Sequence, residues 1–544
     1  MVATPAAAAR LQQLDKAKGP PPNRPHFEMS SFESSIVGDE EFMRHRGVAV
    51  DEPGNREILD LIRPFKNGPA DKKAASPTTE APADLHARFL RLNDALAHAD
   101  ENRVNPELKA NARAYLADAC GKVLQQPAEP GDSALRNFAR SLLLKVADEM
   151  LAGAPMETNE NFDSMPSWGS PNAPIAAVEG LMLEKNQTVT EKTLADAAID
   201  RLSRSADPEV RFQVARLAPV YARTNPERTW GLFSFYASND PSTAVLSTVV
   251  SSLSRTVDPR ADQLVRKIFE RSQSLKPNRD LRSFCVSYFL NRFLRDGDSS
   301  SSSFIANFTD LPWEHPDDVL HIVADLRDDL ARGPIEPPDT PDTAMRHRAQ
   351  QLAARVLKTV NAELAKQAHE FAATPYDDIP APNRSRIEFI HRCVSSVADQ
   401  TYFASGAFDV KGGQSHRPKL ETAQRRRFWD EMKPVMEMLA ESKVPNVNFH
   451  LMETLGSLIE FDPRGVFLKL SLVVRNGKEG GFQYESLVAD LAVRIVQEFI
   501  ATYQTLIKED KECRHALVEI LDTFVEAGWP AALQLTYGLE DIFR

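Results

Sequence analysis

A stretch containing glycine and lysine at residues 476–481 is one place where this sequence could do chemistry. It reads Asn-Gly-Lys-Glu-Gly-Gly. A phosphate-binding loop needs clustered glycines followed by Lys and then Ser or Thr, because its backbone N–H groups must close around phosphate oxygens. Here the order differs, and no Ser or Thr follows Lys478. We interpret the stretch as a turn between helices, and we predict no bound cofactor.

Histidine and cysteine could instead bind a metal. His369-Glu370 begins like a zinc-peptidase helix, but Ala373 stands where the second histidine is required one turn later. The four cysteines are Cys120, Cys285, Cys393 and Cys513. They are widely spaced and form no CxxC pair, so we expect neither a zinc site nor a disulfide framework.

The sequence contains no motif for catalysis by a nucleophile or by a pair of acidic residues. The sequence lacks a Gly-x-Ser-x-Gly elbow, and its spacing gives no serine a recognisable base partner. Adjacent acidic pairs such as Asp317-Asp318 diverge on a helix, so we interpret them as solvated or first-turn charges. The sequence therefore predicts a protein that is not an enzyme.

A segment at residues 405–429 combines positive charge with neighbouring aromatic residues and could bind nucleic acid. Its candidate contact residues are Lys411, Arg417, Lys419, Arg425, Arg426, Arg427 and Trp429. Arginines beside aromatic rings can bind phosphates and stack on bases. A solvated loop running into a helix start explains the same residues. The net charge of −12 argues against nucleic-acid binding over the whole surface.

Helix-start signals recur at a fixed spacing in the middle of the chain. Four of them pair a capping side chain with a proline: Asp207-Pro208, Asn225-Pro226, Asp240-Pro241 and Asp258-Pro259. From Asp207 to Asp240 is 33 residues, and so is Asn225 to Asp258. The repeating unit is therefore predicted to be a pair of helices.

The apolar pattern in this region predicts which side chains are buried. Val210, Val214, Leu217 and Tyr221 follow the three-and-four spacing of one helical face. Arg211 and Arg216 are then expected on the solvent side.

The string from Asp207 to Leu217 resembles the second-helix pattern of HEAT repeats. An aspartate, a valine-arginine pair, an alanine and a leucine fall at the same offsets. The resemblance implies an all-α, HEAT-like (armadillo-like) α-α superhelical solenoid, which we expect to curve as a right-handed stack behind a disordered N-terminal tail. The alternative is a globular helical domain in which two units are alike by chance.

The segment from Gly481 to the end resembles the closing helical segment of large bacterial ATP-binding proteins of the STAND type, some linked to phage defence. This resemblance covers about 60 residues and includes no catalytic motif. It implies a helical sensor or scaffold region beside a nucleotide-driven module. The chain shows no such module, so ATP hydrolysis is not implied.

Composition divides the 544 residues into regions. We predict a largely disordered tail at 1–84, an N-terminal helical repeat region at 85–296, a linker with a short helix at 297–345, and a C-terminal helical region at 346–544. The serine run at 299–303 is expected to be a flexible link. Within the tail, the apolar cluster at residues 57–62 is expected to dock as a helix.

The chain is predicted to be cytoplasmic. Its first residues lack the apolar core of a signal peptide. No stretch approaches the roughly 18 uninterrupted apolar residues of a membrane span.

Two functions remain open. The first is a non-enzymatic scaffold or sensor subunit that binds a protein partner, in a bacterial defence or regulatory assembly. Its predicted contact residues are Arg228, Trp230, Arg266, Lys267 and Arg271, which combine charge with one aromatic anchor. Trp230 could equally belong to the core. The second is a nucleic-acid-associated subunit that uses residues 411–429.

Overall fold

Our computed structural model describes residues 43–44, 47–66, 81–99, 104–150, 155–157, 172–256, 258–275, 279–334, 340–408, 420–442, 444, 447–479, 486–529 and 535. Over these residues the chain forms α-helices, 3₁₀ turns and connecting loops, and no β-strand. The prediction of an all-α fold is confirmed. The chain divides into two compact units, Met1–Ser252 and Leu253–Arg544.

The first unit is built from the helices α1 to α9, of which α9 ends at the unit boundary. They are α1 (Pro53–Lys66), α2 (Pro82–Ala97), α3 (Pro106–Gln125), α4 (Ser133–Asp148), α5 (Ala173–Met182), α6 (Val189–Leu202), α7 (Pro208–Tyr221), α8 (Pro226–Asn239) and α9 (Thr243–Leu253).

The helices of the first unit stack in two layers. In one layer α1, α3, α5 and α7 each pack against the next, and in the other α2, α4 and α6 do the same. Consecutive helices pack across the layers, so each pair is one repeat. This is the arrangement of a HEAT-like helical solenoid.

Two glycines allow the close packing of α3 against α5. A Cβ atom placed on Gly180 would lie 2.8 Å from the Cα atom of Gly121. Because that distance is too short for any side chain, glycine is required where these two helices meet.

The predicted caps are confirmed at two helix starts. The side chains of Asp207 and Asp258 accept hydrogen bonds from the backbone N–H groups of Glu209 (2.8 Å) and Arg260 (2.9 Å). Asp240 accepts in the same way from Ser242, although α9 begins only at Thr243. The prediction was wrong for Asn225, whose side chain makes no cap bond at the start of α8.

The predicted buried stripe on α7 is confirmed, but one residue was placed on the wrong side. Val210, Val214, Leu217 and Tyr221 are buried, and the side chain of Arg216 is half exposed. Arg211 was predicted to face solvent, yet it is fully buried and forms an ion pair with Asp240. The short spacing pattern could not show that Asp240 supplies a buried counter-charge.

The predicted docking of residues 57–62 is also confirmed. Ile58, Leu59 and Ile62 are buried on α1, which packs against α2 and α3. Most of the predicted disordered tail lies outside the described residues.

The second unit contains the remaining helices. They are α10 (Pro259–Ser272), α11 (Arg279–Asp296), α12 (Ser299–Thr309), α13 (Pro316–Asp325), α14 (Pro341–Glu370), α15 (Ala381–Ala404), α16 (Thr422–Glu441), α17 (Asn448–Leu458), α18 (Pro463–Glu479), α19 (Ser486–Thr502), α20 (Gln504–Glu509) and α21 (Lys511–Glu526). Short 3₁₀ turns occur at Pro312–Glu314 and Tyr376–Asp378.

The second unit repeats the two-layer arrangement. One layer runs α11, α13, α15, α17 and α19, and the other runs α12, α14, α16, α18 and α21. The serine run at 299–303 was predicted to be a flexible link, and this was wrong. It starts α12, because the side chain of Asp298 accepts a hydrogen bond from the backbone N–H of Ser301 and caps the helix.

Candidate functional site: a polar pocket in the second unit

Most of the predicted nucleic-acid contacts that the structure describes are used within the fold. Arg425 donates hydrogen bonds to the carbonyl of Ser457 and to Glu460, and its guanidinium lies 5.5 Å from the ring centre of Phe461. Lys411, Arg417 and Lys419 lie outside the described residues.

Arg427 and Trp429 were expected at the surface, and the structure corrects both. Arg427 donates to the carbonyls of Ala331, Gly333 and Pro334. Burial lowers the pKa of Arg427, and nearby Arg346 lowers it further. Trp429 is only 1% exposed, so its ring cannot stack on a base. Arg426 alone among the described members of this set is exposed.

The five predicted partner contacts are divided between the units. In the first unit, Arg228 donates to Asp200 and to the carbonyl of Asp196, which ties α8 to α6. Trp230 is half-buried and makes an edge-on contact with Phe233. Arg228 therefore stabilises the packing of α8 against α6, which the local sequence pattern did not predict.

In the second unit, Arg266 is also held internally. It donates to the carbonyl (2.8 Å) and hydroxyl (2.9 Å) oxygens of Ser300, and it lies over the rings of Phe289 and Phe304. Lys267 is exposed and Arg271 is half-buried. Arg266, which was predicted to contact a partner, therefore also stabilises the packing of α10 against α11 and α12.

The second unit has a pocket of about 610 Å³ between α11, α13 and α15. Its lining residues are Asp280, Arg282, Ser283, Glu314, His315, Pro316, Asp317, Asp318, Leu320, His321 and Arg392. Four carboxylates and two guanidinium groups therefore face one space. Such a polar concave surface can bind a ligand or a segment of another protein.

One ion pair forms the fixed wall of this pocket. The guanidinium of Arg282 donates to both carboxylate oxygens of Asp318, at 2.7–3.0 Å. Arg282 also lies 4.3 Å from the ring centre of Phe269. Both Asp317 and Asp318 lie in the first turn of α13, which confirms the interpretation as first-turn charges; Asp317 is exposed, whereas Asp318 is buried.

The N-terminal half of α11 supplies a second wall. Asp280, Ser283, Phe284 and Ser287 recur at three-and-four spacing and so share one helical face. Asp280 and Ser283 line the pocket. Phe284 is 46% exposed and lies beside them, one turn after Asp280. An exposed aromatic ring therefore lies on the same helical face as two of the pocket residues.

A serine, a histidine and an aspartate meet beside the pocket, but their geometry is not that of a catalytic triad. The hydroxyl of Ser287 lies 2.7 Å from Nε2 of His321 and donates to Asp325 at 2.6 Å. Asp325 is also 3.4 Å from that same Nε2 atom. In a triad the carboxylate binds the other ring nitrogen, so that Nε2 can accept the serine proton. Here the carboxylate competes for that proton.

The cysteines offer no reactive thiolate. Burial raises the pKa of Cys285 and of Cys393 to about 12, and it raises the pKa of Cys513 to about 11. Cys120 is shifted in the same direction for the same reason. The described residues also contain no group of three or more His, Cys, Asp or Glu side chains able to hold a metal ion.

None of the described helices is both long enough and apolar enough to cross a bilayer.

Fold and site together define an all-α, HEAT-like helical-repeat protein with a polar pocket. No known protein family matches the chain by its sequence profile, and no curated protein matches it. Among solved structures, the chain is similar to a mutant of Kap121p, with 12% identity and a TM-score of 0.38. That likeness covers 91% of this chain and 52% of Kap121p, so the chain spans about half of its length.

A second solved structure is the complex of SYS-1 with POP-1. The identity is 10% and the TM-score 0.20, over 90% of this chain and 99% of the other. Both TM-scores are low, so no function is transferred from either protein.

Sequence reasoning missed the pocket residues. Asp280 and Arg392 lie far apart along the chain, and only the stacking of α11, α13 and α15 brings them to one space. The adjacent carboxylates Asp317 and Asp318 were the available signal. Their divergence on α13 sends one inward to Arg282 and leaves the other facing solvent.

Proposed function

We propose that this protein is a non-enzymatic scaffold or sensor subunit that binds a protein partner at the pocket between α11, α13 and α15. The observation that carries the proposal is the set of charged side chains that three stacked helices place around one pocket. The Ser287, His321 and Asp325 cluster lacks triad geometry, and this supports binding over catalysis.

The cellular setting is a further part of the proposal. The C-terminal resemblance to STAND-type proteins supports a cytoplasmic role in a bacterial defence or regulatory assembly. The alternative role, binding of nucleic acid by residues 411–429, loses support because Arg425, Arg427 and Trp429 make internal contacts.

Site-specific photo-crosslinking tests the proposal. A photoreactive phenylalanine analogue is placed at Phe284, which is 46% exposed on the same face of α11 as Asp280 and Ser283, and as a control at Val518 on α21, which is 47% exposed. The two variants are irradiated in extracts of the source cells. We expect a discrete protein adduct from position 284 and none from position 518.

Two results would count against the proposal. One is an equal pattern of adducts from both positions, which would indicate unspecific contact. The other is an adduct from position 284 that disappears on nuclease treatment and resists protease, which would indicate nucleic acid.

A further inference from the structure

A cluster of aromatic and polar side chains lies in the layer formed by α13, α15 and α17 of the second unit. The ring of Phe403, near the end of α15, is at its centre. Three groups lie within 6.4 Å of the centre of that ring: the guanidinium of Arg327 and the rings of Phe408 and His450. We call these four residues the Phe403 cluster, and none of them lines the pocket between α11, α13 and α15.

Arg327 is held in place but keeps donors unused. Its Nε atom donates a 2.7 Å hydrogen bond to Gln400, which is only 6% exposed, and its guanidinium lies over the ring of Phe403. The two terminal amino groups make no hydrogen bond or ion pair with the described part of the chain, and the side chain is half-exposed. A guanidinium fixed in this way presents a planar pair of donors, which fits the two oxygens of a carboxylate.

His450 is fixed by two contacts and offers an acceptor. Its Nδ1 atom lies 2.6 Å from Oδ1 of Asp399, and its ring stacks on that of Tyr402 with 4.5 Å between the ring centres. Because an ionised carboxylate is only an acceptor, Nδ1 carries the proton and Nε2 is the acceptor of the neutral ring. Nε2 has no hydrogen-bond partner among the described residues, so it can accept from the backbone N–H of a bound peptide.

Phe408 supplies apolar surface beside these polar groups. Its ring is 49% exposed and makes edge-on contacts with the rings of Phe403 at 5.5 Å and Tyr402 at 6.3 Å. Aromatic and arginine side chains are the residues that most often supply binding energy at protein interfaces. The Phe403 cluster therefore combines an exposed ring, a pair of donors and an acceptor around one central ring.

We propose that the Phe403 cluster is a second partner site, which binds a peptide segment with an acidic residue two positions from an aromatic one. The acidic side chain accepts two hydrogen bonds from Arg327, and the aromatic side chain lies on Phe408. In an extended peptide these two positions point to the same side about 7 Å apart, which matches two groups that contact one ring. The acceptor on His450 fits a backbone N–H and not a further phosphate oxygen, so the ligand is a carboxylate-bearing peptide.

Fluorescence anisotropy with the full chain tests the proposal. The probes are labelled Gly/Ser peptides of equal length that carry Glu-Gly-Phe, Gln-Gly-Phe, Glu-Gly-Ser or phosphoserine-Gly-Phe at the centre. The Glu-Gly-Phe peptide should bind most tightly. Replacing its glutamate by glutamine should weaken binding about tenfold, because hydrogen bonds to a charged group are lost.

Substitutions assign the two ends of the peptide to the cluster. Arg327→Gln should weaken the Glu-Gly-Phe peptide about tenfold and leave the Gln-Gly-Phe peptide nearly unchanged, since only the first has a carboxylate to lose. Phe408→Ala should weaken the Glu-Gly-Phe peptide severalfold and leave the Glu-Gly-Ser peptide nearly unchanged. His450→Phe keeps a ring on Tyr402 but removes Nε2, and it should weaken both peptides that carry glutamate.

A matched control separates the cluster from overall charge. Arg426→Gln removes an exposed arginine from α16 and changes the net charge as Arg327→Gln does. This control variant should bind the Glu-Gly-Phe peptide like the parent. Circular dichroism and the thermal midpoint confirm that each variant is folded.

Four results would overturn the proposal. The Glu-Gly-Phe peptide fails to bind the parent chain, or Arg426→Gln weakens it as much as Arg327→Gln does. Arg327→Gln weakens the peptides with glutamate and with glutamine equally, which would show that Arg327 acts only through the fold. The phosphoserine peptide binds most tightly, which would replace the carboxylate by a phosphate. None of these results depends on crosslinking at position 284, so this proposal and the pocket proposal can fail separately.

Discussion

Arg211 on α7 forms a buried ion pair with Asp240. Asp240 is the counterpart of Asp207 in the next repeat, 33 residues later in the sequence. Nε of Arg211 is 2.7 Å from Oδ2 of Asp240, and both side chains are 0% exposed. The same guanidinium donates to the carbonyls of Ser205, Ala206 and Glu157. One arginine therefore connects three segments of the first unit.

We predict that Asp240→Ala strongly destabilises the first unit. Removing one partner of a buried pair leaves the other charge uncompensated, which typically costs about 3–5 kcal/mol. Urea unfolding followed by circular dichroism measures the loss. The control is Arg216→Gln, whose parent side chain is half exposed and pairs with Glu179, and it should cost about 0–1 kcal/mol. Equal midpoints for the two variants would show that the Arg211 pair does not stabilise the fold.

We predict that Asp207→Ala is more destabilising than Asn225→Ala. The Asp207 side chain accepts a 2.8 Å hydrogen bond at the start of α7, and loss of such a cap costs about 0.5–2 kcal/mol. Asn225 occupies the same position before α8 but makes no cap bond. Thermal unfolding of both variants measures the difference. The prediction fails if Asn225→Ala lowers the midpoint as much as Asp207→Ala.

We predict that Arg266→Glu destabilises the second unit whereas Lys267→Glu does not. Arg266 donates to Ser300 and lies 4.8 Å from the ring centre of Phe289, and a glutamate can do neither. The expected cost is about 1.5–3 kcal/mol, as for a hydrogen bond to a charged group. Lys267 is exposed, and interactions of an exposed charge contribute only about 0–1 kcal/mol, so the midpoint of Lys267→Glu should stay close to that of the parent. If both variants unfold like the parent, the contacts of Arg266 do not stabilise the second unit in solution.

We predict a specific acid sensitivity at the start of α21. Hydrogen bonds from Arg464 and from the backbone N–H groups of Cys513 and Glu512 lower the pKa of Asp510 from its ordinary 3.8 to about 2. A carboxyl whose pKa is lowered by folding adds stability above its unfolded pKa, and this is lost as pH falls through the folded value. Between pH 4 and about 2, Asp510→Asn should therefore lose less stability than the parent.

Thermal midpoints at several pH values measure this difference. The control is Asp522→Asn, which removes an exposed carboxylate from the same helix. It should follow the parent curve. If Asp510→Asn also follows the parent curve, the carboxylate of Asp510 is not bound as described.

Local patterns predicted the helices well but could not predict long-range contacts. The buried face of α7 follows from the spacing of Val210, Val214 and Leu217 alone. The burial of Arg211 depends on Asp240, 29 residues away, and the internal role of Arg427 depends on Ala331, 96 residues away. From the sequence alone, a charged residue is expected at the surface, because its distant partner is not known.

The same reason explains why the candidate site was not predicted. The basic segment has a clear composition, but Trp429 is buried, Arg425 binds a backbone carbonyl and Glu460, and Arg427 binds backbone carbonyls. The pocket has no local composition signal, since its walls come from α11, α13 and α15. Stacking of separate repeats created the site.

Hydrogen–deuterium exchange of the full chain tests the central claim most directly. It is measured for the chain alone and after addition of the partner protein that crosslinking at position 284 identifies. Amides that become buried under a partner exchange more slowly. We predict slower exchange in residues 280–287 and 314–321, with residues 422–429 unchanged. Slower exchange confined to 422–429, with none at the pocket, would contradict the claim that the partner binds there.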